Sequence, residues 1–206
     1  MQKVSPTRIN LLSLKKELKT AEKGYKLLKD KRDGLIKKFM EIIKETRDLR
    51  SEVEEEIPRT LVSYIRASAS IAEKINEAAF LVPNAELEID VKTRYIMSVP
   101  IPHFDIKTKG RAFSYGFLET SGELDNSVQR IEKILPKLLH LSELEKTVEN
   151  LAEEIERTRR RTSALENVRI PQLNVSIRYI REHLDEQARD AIVSTMRIKA
   201  MIMAKE

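Results

Sequence analysis

Arg157, Arg159, Arg160 and Arg161, in the run ERTRRRTSALENVRIPQL, are the chain's densest knot of positive charge. Guanidinium groups at this spacing suit phosphate, an acidic protein surface, or a charge developing in a phosphoryl transfer. Upstream acids temper all three uses. Glu153 and Glu156 stand four residues before Arg157 and Arg160, the favourable order for helical ion pairs of about 0.3 kcal/mol each. No aromatic residue interleaves the arginines to stack a base. A solvated collar, a docking site for a protein partner and a nucleic-acid contact are the readings open at this point.

The remaining chemistry is sparse. The histidines His103, His140 and His183 are far apart and none sits in a metal-ligand spacing. Glu54-Glu55-Glu56 ahead of Pro58 reads as a charged helix face rather than an acid/base pair. No glycine precedes a lysine, so the P-loop is absent, and no GxGxxG occurs. Without cysteine there is neither a disulfide framework nor a thiolate. The expectation is a chain with no catalytic, cofactor-binding or metal residues of its own.

Such residues need elements to hold them, and composition restricts the elements. Of 206 residues, 34% are charged and 5% aromatic, with only 5 Gly and 7 Pro to make turns. Few, long, solvated helices satisfy that balance. The formal charge of +5 comes from acids and bases that are interspersed, which favours solubility over a dedicated polyanion binder. The first residues do not read as a signal peptide, and no run approaches the roughly 18 apolar residues of a membrane span.

From Leu11 to Val53 apolar residues recur at steps of three and four (Leu11, Leu14, Leu18, Ala21, Tyr25, Leu28, then Leu35, Phe39, Ile42, Leu49, Val53), with Arg32 and Thr46 out of character. That is a coiled-coil seam. Ser5 as cap and Pro6 as first helical residue predict a start near residue 6. Past Val53 the pattern is read as slipping to Ile57, Leu61, Tyr64, Ser68 and Ile71, and Pro58 predicts a kink or short break before helix resumes to about Leu81. Between Pro83 and Gly122 the period changes to two. Leu87, Ile89 and Val91, then Tyr95, Ile96, Met97 and Val99, predict two short strands joined near Lys92–Arg94.

Helical spacing returns from about Leu118 (Val128, Ile131, Leu135, Leu138, Leu144, Val148, Leu151, Ile155, Thr158, Thr162, Leu165). After Pro171 a second run follows through Leu173, Ile177, Ile180, Leu184, Ala188, Ala191, Thr195, Ile198 and Ile202. Neither arm can bury its seam alone, so the fold expected is mainly α: a long antiparallel two-helix coiled coil with a small β-hairpin head. Its segments are 1–82, 83–117 and 118–206, with bends near Pro58 and Pro171, and its length is on the order of 110 Å at 1.5 Å per residue. That is too thin for a substrate pocket. The C-terminal STMRIKAMIMAKE adds Met196, Met201 and Met203, which either make a soft and adaptable surface or simply fill the end of the coil.

Three blocks in this order, SPTRINLLSLKKELKTAEKGYKLLKDKRDGL, IDVKTRYIMSVPIPHF and RTRRRTSALENVRIPQLNVSIRYIREHLDEQARD, resemble the D subunit of the V-type and archaeal A-type ATPases and ATP synthases. The resemblance spans essentially the whole chain. It implies a non-catalytic central rotor shaft, peripheral on the cytoplasmic face of the membrane within the soluble V1/A1 sector. The implied partners are the catalytic A/B hexamer (A3B3), the small F subunit of the stalk, and the funnel subunit (C, or d) on the membrane ring. It implies no cofactor, no nucleic acid and no direct membrane insertion. The arginine cluster and the terminal methionines then become interface candidates, and Pro58 and Pro171 the sources of bend. The alternatives are a generic coiled-coil scaffold and a nucleic-acid-binding coiled coil using the arginines.

Overall fold

The computed structural model describes residues 5–81, 84–110, 113, 115–116 and 120–204, with the backbone alone at Glu73. The segment boundaries expected at 82/83 and 117/118, and with them Pro83 and Leu118, lie outside the described residues. The elements are α1 (Arg8–Ala69), α2 (Glu73–Ala79), β1 (Ala85–Ile96), β2 (Val99–Gly110), α3 (Gly122–Ala164), a π-turn (Leu165–Arg169) and α4 (Ile170–Met203). Long helices pack in antiparallel pairs and a two-stranded hairpin lies between them in sequence, as the periodicities predict. The chain divides into two compact units. One holds residues 34–155, the other residues 1–33 with 156–206.

In the first unit α1 packs on α3. The ion pairs Arg50–Glu145 (3.4 Å) and Glu56–Lys137 (2.8 Å) run in opposite chain directions and fix the pair as antiparallel. Leu35, Leu151 and Val99 form the core, with Phe39, Ile42, Ile96 and Ile155 packed around them. Every α1 position assigned to the seam from Leu11 to Val53 is buried or half-buried, including the anomalous Arg32 and Thr46. The threonines explain themselves: Thr46, Thr60 and Thr147 each give their hydroxyl to the carbonyl four residues back, at 2.8–2.9 Å, and so sit in an apolar seam without an orphaned donor.

Three expectations need correction. The helix starts at Arg8 and its cap is Thr7, whose Oγ1 accepts the Asn10 N–H at 3.3 Å; Ser5 instead binds the Asn10 side chain. No break falls at Pro58. α1 runs on to Ala69 and the interruption comes at residues 70–72, because Val53, Thr60 and Ala67 keep a seven-residue spacing through the proline and are buried. The slip to Leu61 therefore does not occur, and Leu61 is exposed while its smaller neighbour Thr60 faces α3. On α3, likewise, Ile134 is buried and Ile131 exposed.

The hairpin exists, but its turn is Met97–Ser98 rather than Lys92–Arg94, and the strands are longer than expected. Both turn residues have positive φ (50° and 70°), the geometry that lets a two-residue loop follow the natural twist of its strands. Ile96 then pairs with Val99, Tyr95 with Pro100 and Thr93 with Pro102. Hydrogen-bonded pairs alternate from Ile96–Val99, so both prolines occupy positions whose missing N–H would have pointed away from β1. Beside the head, Tyr64, Phe80, Tyr115 and Phe113 make successive edge-to-face contacts at 6.1–6.3 Å.

Candidate functional site

In the second unit α1 packs against the end of α3 and against α4. A salt bridge between Glu17 and Arg169 sets an antiparallel register. Moving from Glu17 back to Arg8, where α1 begins, corresponds to moving forward from Arg169 to Arg178, and α4 continues well past that point. Leu173, Ile177 and Ile180 are buried accordingly, Leu184 is half-buried, and from Asp185 to Ala204 every residue is exposed. The later part of the expected seam, Ala188, Ala191, Thr195, Ile198 and Ile202, thus meets nothing among the described residues. Pattern alone extended the seam; the unequal reach of the two helices ends it.

This overhang, from Leu184 to Met203, is about 29 Å of single helix. Met196, Met201 and Met203 are each about two-thirds exposed, and Ile192, Val193, Ile198 and Ile202 stand in water beside them. A helix of this length is marginal by itself, and apolar residues on several faces call for a surrounding surface rather than one flat partner.

Below the overhang the seam makes one irregular step. Thr158, Thr162 and Leu165 are followed by Ile170, Leu173, Ile177 and Ile180, so the interval after Leu165 is one residue too long for a continuous α-helix. The π-turn absorbs the excess, with the Ile170 N–H reaching the Leu165 carbonyl. Unbroken α-geometry would have turned Arg169, Gln172, Ser176 and Tyr179 towards α1 and left Leu173, Ile177 and Ile180 in water. At roughly 1.5–3 kcal/mol for each aliphatic side chain, that alternative is disfavoured by about 5–9 kcal/mol. The register is locked. The Tyr25 hydroxyl also binds Glu166, a hydrogen bond that holds the phenol above its ordinary value.

The four arginines expected to form a site, Arg157, Arg159, Arg160 and Arg161, are all exposed around the helix where Thr158 and Thr162 are buried. Arg160 pairs with Glu156, and the Thr162 hydroxyl bonds the Thr158 carbonyl at 2.7 Å. They occupy a stretch of helix separate from the methionines, so the two groups of candidates do not form one cluster.

Sequence reasoning missed a second constellation, where the hairpin is clamped to α3. His103 Nδ1 lies 3.0 Å from Glu143 Oε1, and Glu143 Oε2 accepts the Phe104 N–H at 3.1 Å. Asn150 donates to the Pro100 carbonyl at 2.9 Å, and Lys92 pairs with Asp105. Burial pushes the Glu143 carboxyl up, but the hydrogen bonds from His103 and Phe104 outweigh it and leave the group below its usual value. The turn's Met97 lies over Gly34, where a Cβ would come within 2.8 Å of its methyl. A His and a Glu forty residues apart carry no sequence signal of pairing.

Two grooves, of about 410 and 580 Å³, are lined by Glu41, Glu45, Asp48 and Glu52 with His140 in one case and by Arg59, Arg130, Lys133 and Lys137 in the other. Both lie open along the helix pair. Among the described residues no three His, Cys, Asp or Glu side chains converge as a metal site, and no helix is long and apolar enough to cross a membrane.

Known proteins resemble this sequence along nearly its whole length. Residues 10–200 match the family of ATP synthase D subunits. The V-type ATP synthase D subunit of Clostridium botulinum (strain Langeland / NCTC 10281 / Type F) is 44% identical over 208 residues, covering 98% of this chain and 96% of the relative. That of Thermoanaerobacter sp. (strain X514) is 45% identical over 202 residues, covering 97% of each. A family match over residues 10–200 and relatives 44–45% identical over nearly their full length agree: the chain belongs to the family of ATP synthase D subunits.

Proposed function

We propose that this chain is the central rotor shaft of a V/A-type ATP synthase or ATPase. It carries torque between a catalytic A/B hexamer and a membrane ion-translocating ring, and so couples ATP synthesis or hydrolysis to proton or sodium transport. The observation that carries the reading is the overhang of α4, which exposes Met196, Ile198, Met201, Ile202 and Met203 with no cover among the described residues. A shaft tip inside the cavity of a hexamer needs such a surface, because it must touch its bearing all round without locking at one angle.

On this reading the chain is not itself an enzyme. The small F subunit of the stalk sits alongside, the funnel subunit (C, or d) holds the end away from the hexamer, and Arg157, Arg159, Arg160 and Arg161 form a collar facing a stalk partner or charged neighbours. The assembly is peripheral, on the cytoplasmic side. The arms and head fall at 1–82, 83–117 and 118–206. Bends at Pro58 and Pro171 take the shaft off axis, so each catalytic interface meets a different face in turn and is driven by its differential contact with open and closed states.

Tagged chain recovered from native membranes should bring down an equimolar small subunit together with the catalytic hexamer. Self-association alone would favour a scaffold, and steeply salt-dependent retention of nucleic acid would favour the arginine cluster as a binding patch. Within the reassembled complex, Pro58→Ala and Pro171→Ala should alter ion-driven ATP synthesis more than folding; unchanged synthesis would remove the bends from the mechanism.

A further inference from the structure

Pro171 and the extra residue of the π-turn compensate each other. In α-geometry a proline ring at 171 collides with the carbonyl of Asn167, and no N–H is offered back to it. The widened turn over Leu165–Arg169 ends one residue before this proline, with the Ile170 N–H bonded to the Leu165 carbonyl five residues back. Both sides of the turn are braced to α1, by Tyr25 to Glu166 and by Glu17 to Arg169, and the seam beneath is in register again at Leu173. Val168, within the turn, is half-exposed. The irregularity is thus confined to five residues between the arginine collar and the overhang.

We propose that the π-turn and Pro171 form a torsional joint in the C-terminal arm, a short segment that twists elastically while the seam on either side keeps its register. The turn replaces an i→i−4 bond by an i→i−5 one and Pro171 has no N–H to give, so this stretch holds fewer regular helical bonds and is softer than the α-helix above and below it. The locked register means the joint deforms and returns; it does not slip to a second pairing. Its role as a compliance element rests on the rotor-shaft reading, whereas its softness does not.

The test uses the full chain carrying a deletion of Val168 combined with Pro171→Ala, which removes the extra residue and the proline together and leaves both seams in phase. In the isolated chain, amide exchange across residues 165–170 is expected to slow by about tenfold or more as the helix becomes continuous. In the reassembled complex, ATP hydrolysis without load should stay within about twofold while synthesis at a fixed ion gradient falls by about threefold or more. Pro171→Ala alone keeps the chain length and guards against a misfolded deletion; it is expected to move both readouts in the same direction by a smaller factor. Unchanged exchange in both variants would overturn the joint as a structural device. Slowed exchange with unchanged synthesis would overturn its mechanical role and leave the shaft intact. If the unaltered chain fails to assemble with catalytic subunits, the shaft reading falls instead, and with it the mechanical role.

Discussion

Ile180 and Ile198 stand eighteen residues, or five turns, apart on one face of α4, yet the first is 0% exposed and the second 58%. Shortening each to alanine separates the paired part of the helix from the overhang with the same chemistry. Ile180→Ala removes side-chain atoms from a closed seam against α1 and should cost about 2–5 kcal/mol, the range for a buried aliphatic truncated to alanine. For a chain of this size that corresponds to a fall in Tm of roughly 4–20 °C. Ile198→Ala removes atoms already in water, so the free chain should change by no more than about 0.5 kcal/mol, offset further by alanine's better helix propensity. Thermal unfolding followed by far-UV circular dichroism at two protein concentrations reads both. On the rotor-shaft reading the order reverses in part in the assembled complex: Ile198→Ala should weaken retention of the chain on the catalytic hexamer proposed to cover the overhang. An equal fall in Tm for the two variants of the free chain would refute the argument, because it would mean that the end of α4 is packed in solution.

Other outcomes follow from the same geometry. Glu143→Ala leaves the half-buried His103 ring and Phe104 N–H without their acceptor, at about 1–3 kcal/mol, and should speed amide exchange in the hairpin more than in α1. Because the folded Glu143 carboxyl lies below its ordinary value of 4.5, its contribution is complete above that pH and is lost as pH falls through the depressed folded value. The wild-type hairpin should therefore loosen on acidification below about pH 4.5, and Glu143→Ala should remove much of that dependence; exchange at Phe104 measures both. Gly110→Ala combines a φ of +91° with a Cβ only 1.9 Å from the Asn84 carbonyl oxygen, so it should open the far end of the hairpin and spare the Met97–Ser98 turn, as strand-resolved exchange would show. Thr162→Val replaces a hydroxyl already satisfied within its own helix by a methyl of the same shape, and should change stability by less than about 1 kcal/mol in denaturant titrations.

The seam of α1 was legible residue by residue because a coiled coil writes its contacts into spacing, and a fault such as Thr46 is tolerated when its hydroxyl bonds the carbonyl four residues back. The hairpin was legible as a change of period, but its turn was not: Met97 and Ser98 take positive φ without the Asn-Gly or Asp-Gly that usually announces it. The irregular step near Pro171 left a trace as two clean runs one residue out of phase. Only the backbone shows that a π-turn, rather than a break, absorbs it. Of the candidate site residues, the arginines and methionines are exposed as their polarity and end position suggested.

Sequence alone determined the class of the molecule, because heptad spacing, scarce glycine and an absence of catalytic spacings leave few architectures that bury the apolar residues. It also determined the family, since three separated blocks agree. Tertiary structure decided where the pairing stops. The pattern continues to Ile202, but burial requires a partner at the same level, and α1 begins at Arg8 while α4 runs to Met203. It likewise decided that Glu143 holds the hairpin, since a contact between β2 and α3 depends on how the chain returns on itself, which local periodicity does not encode.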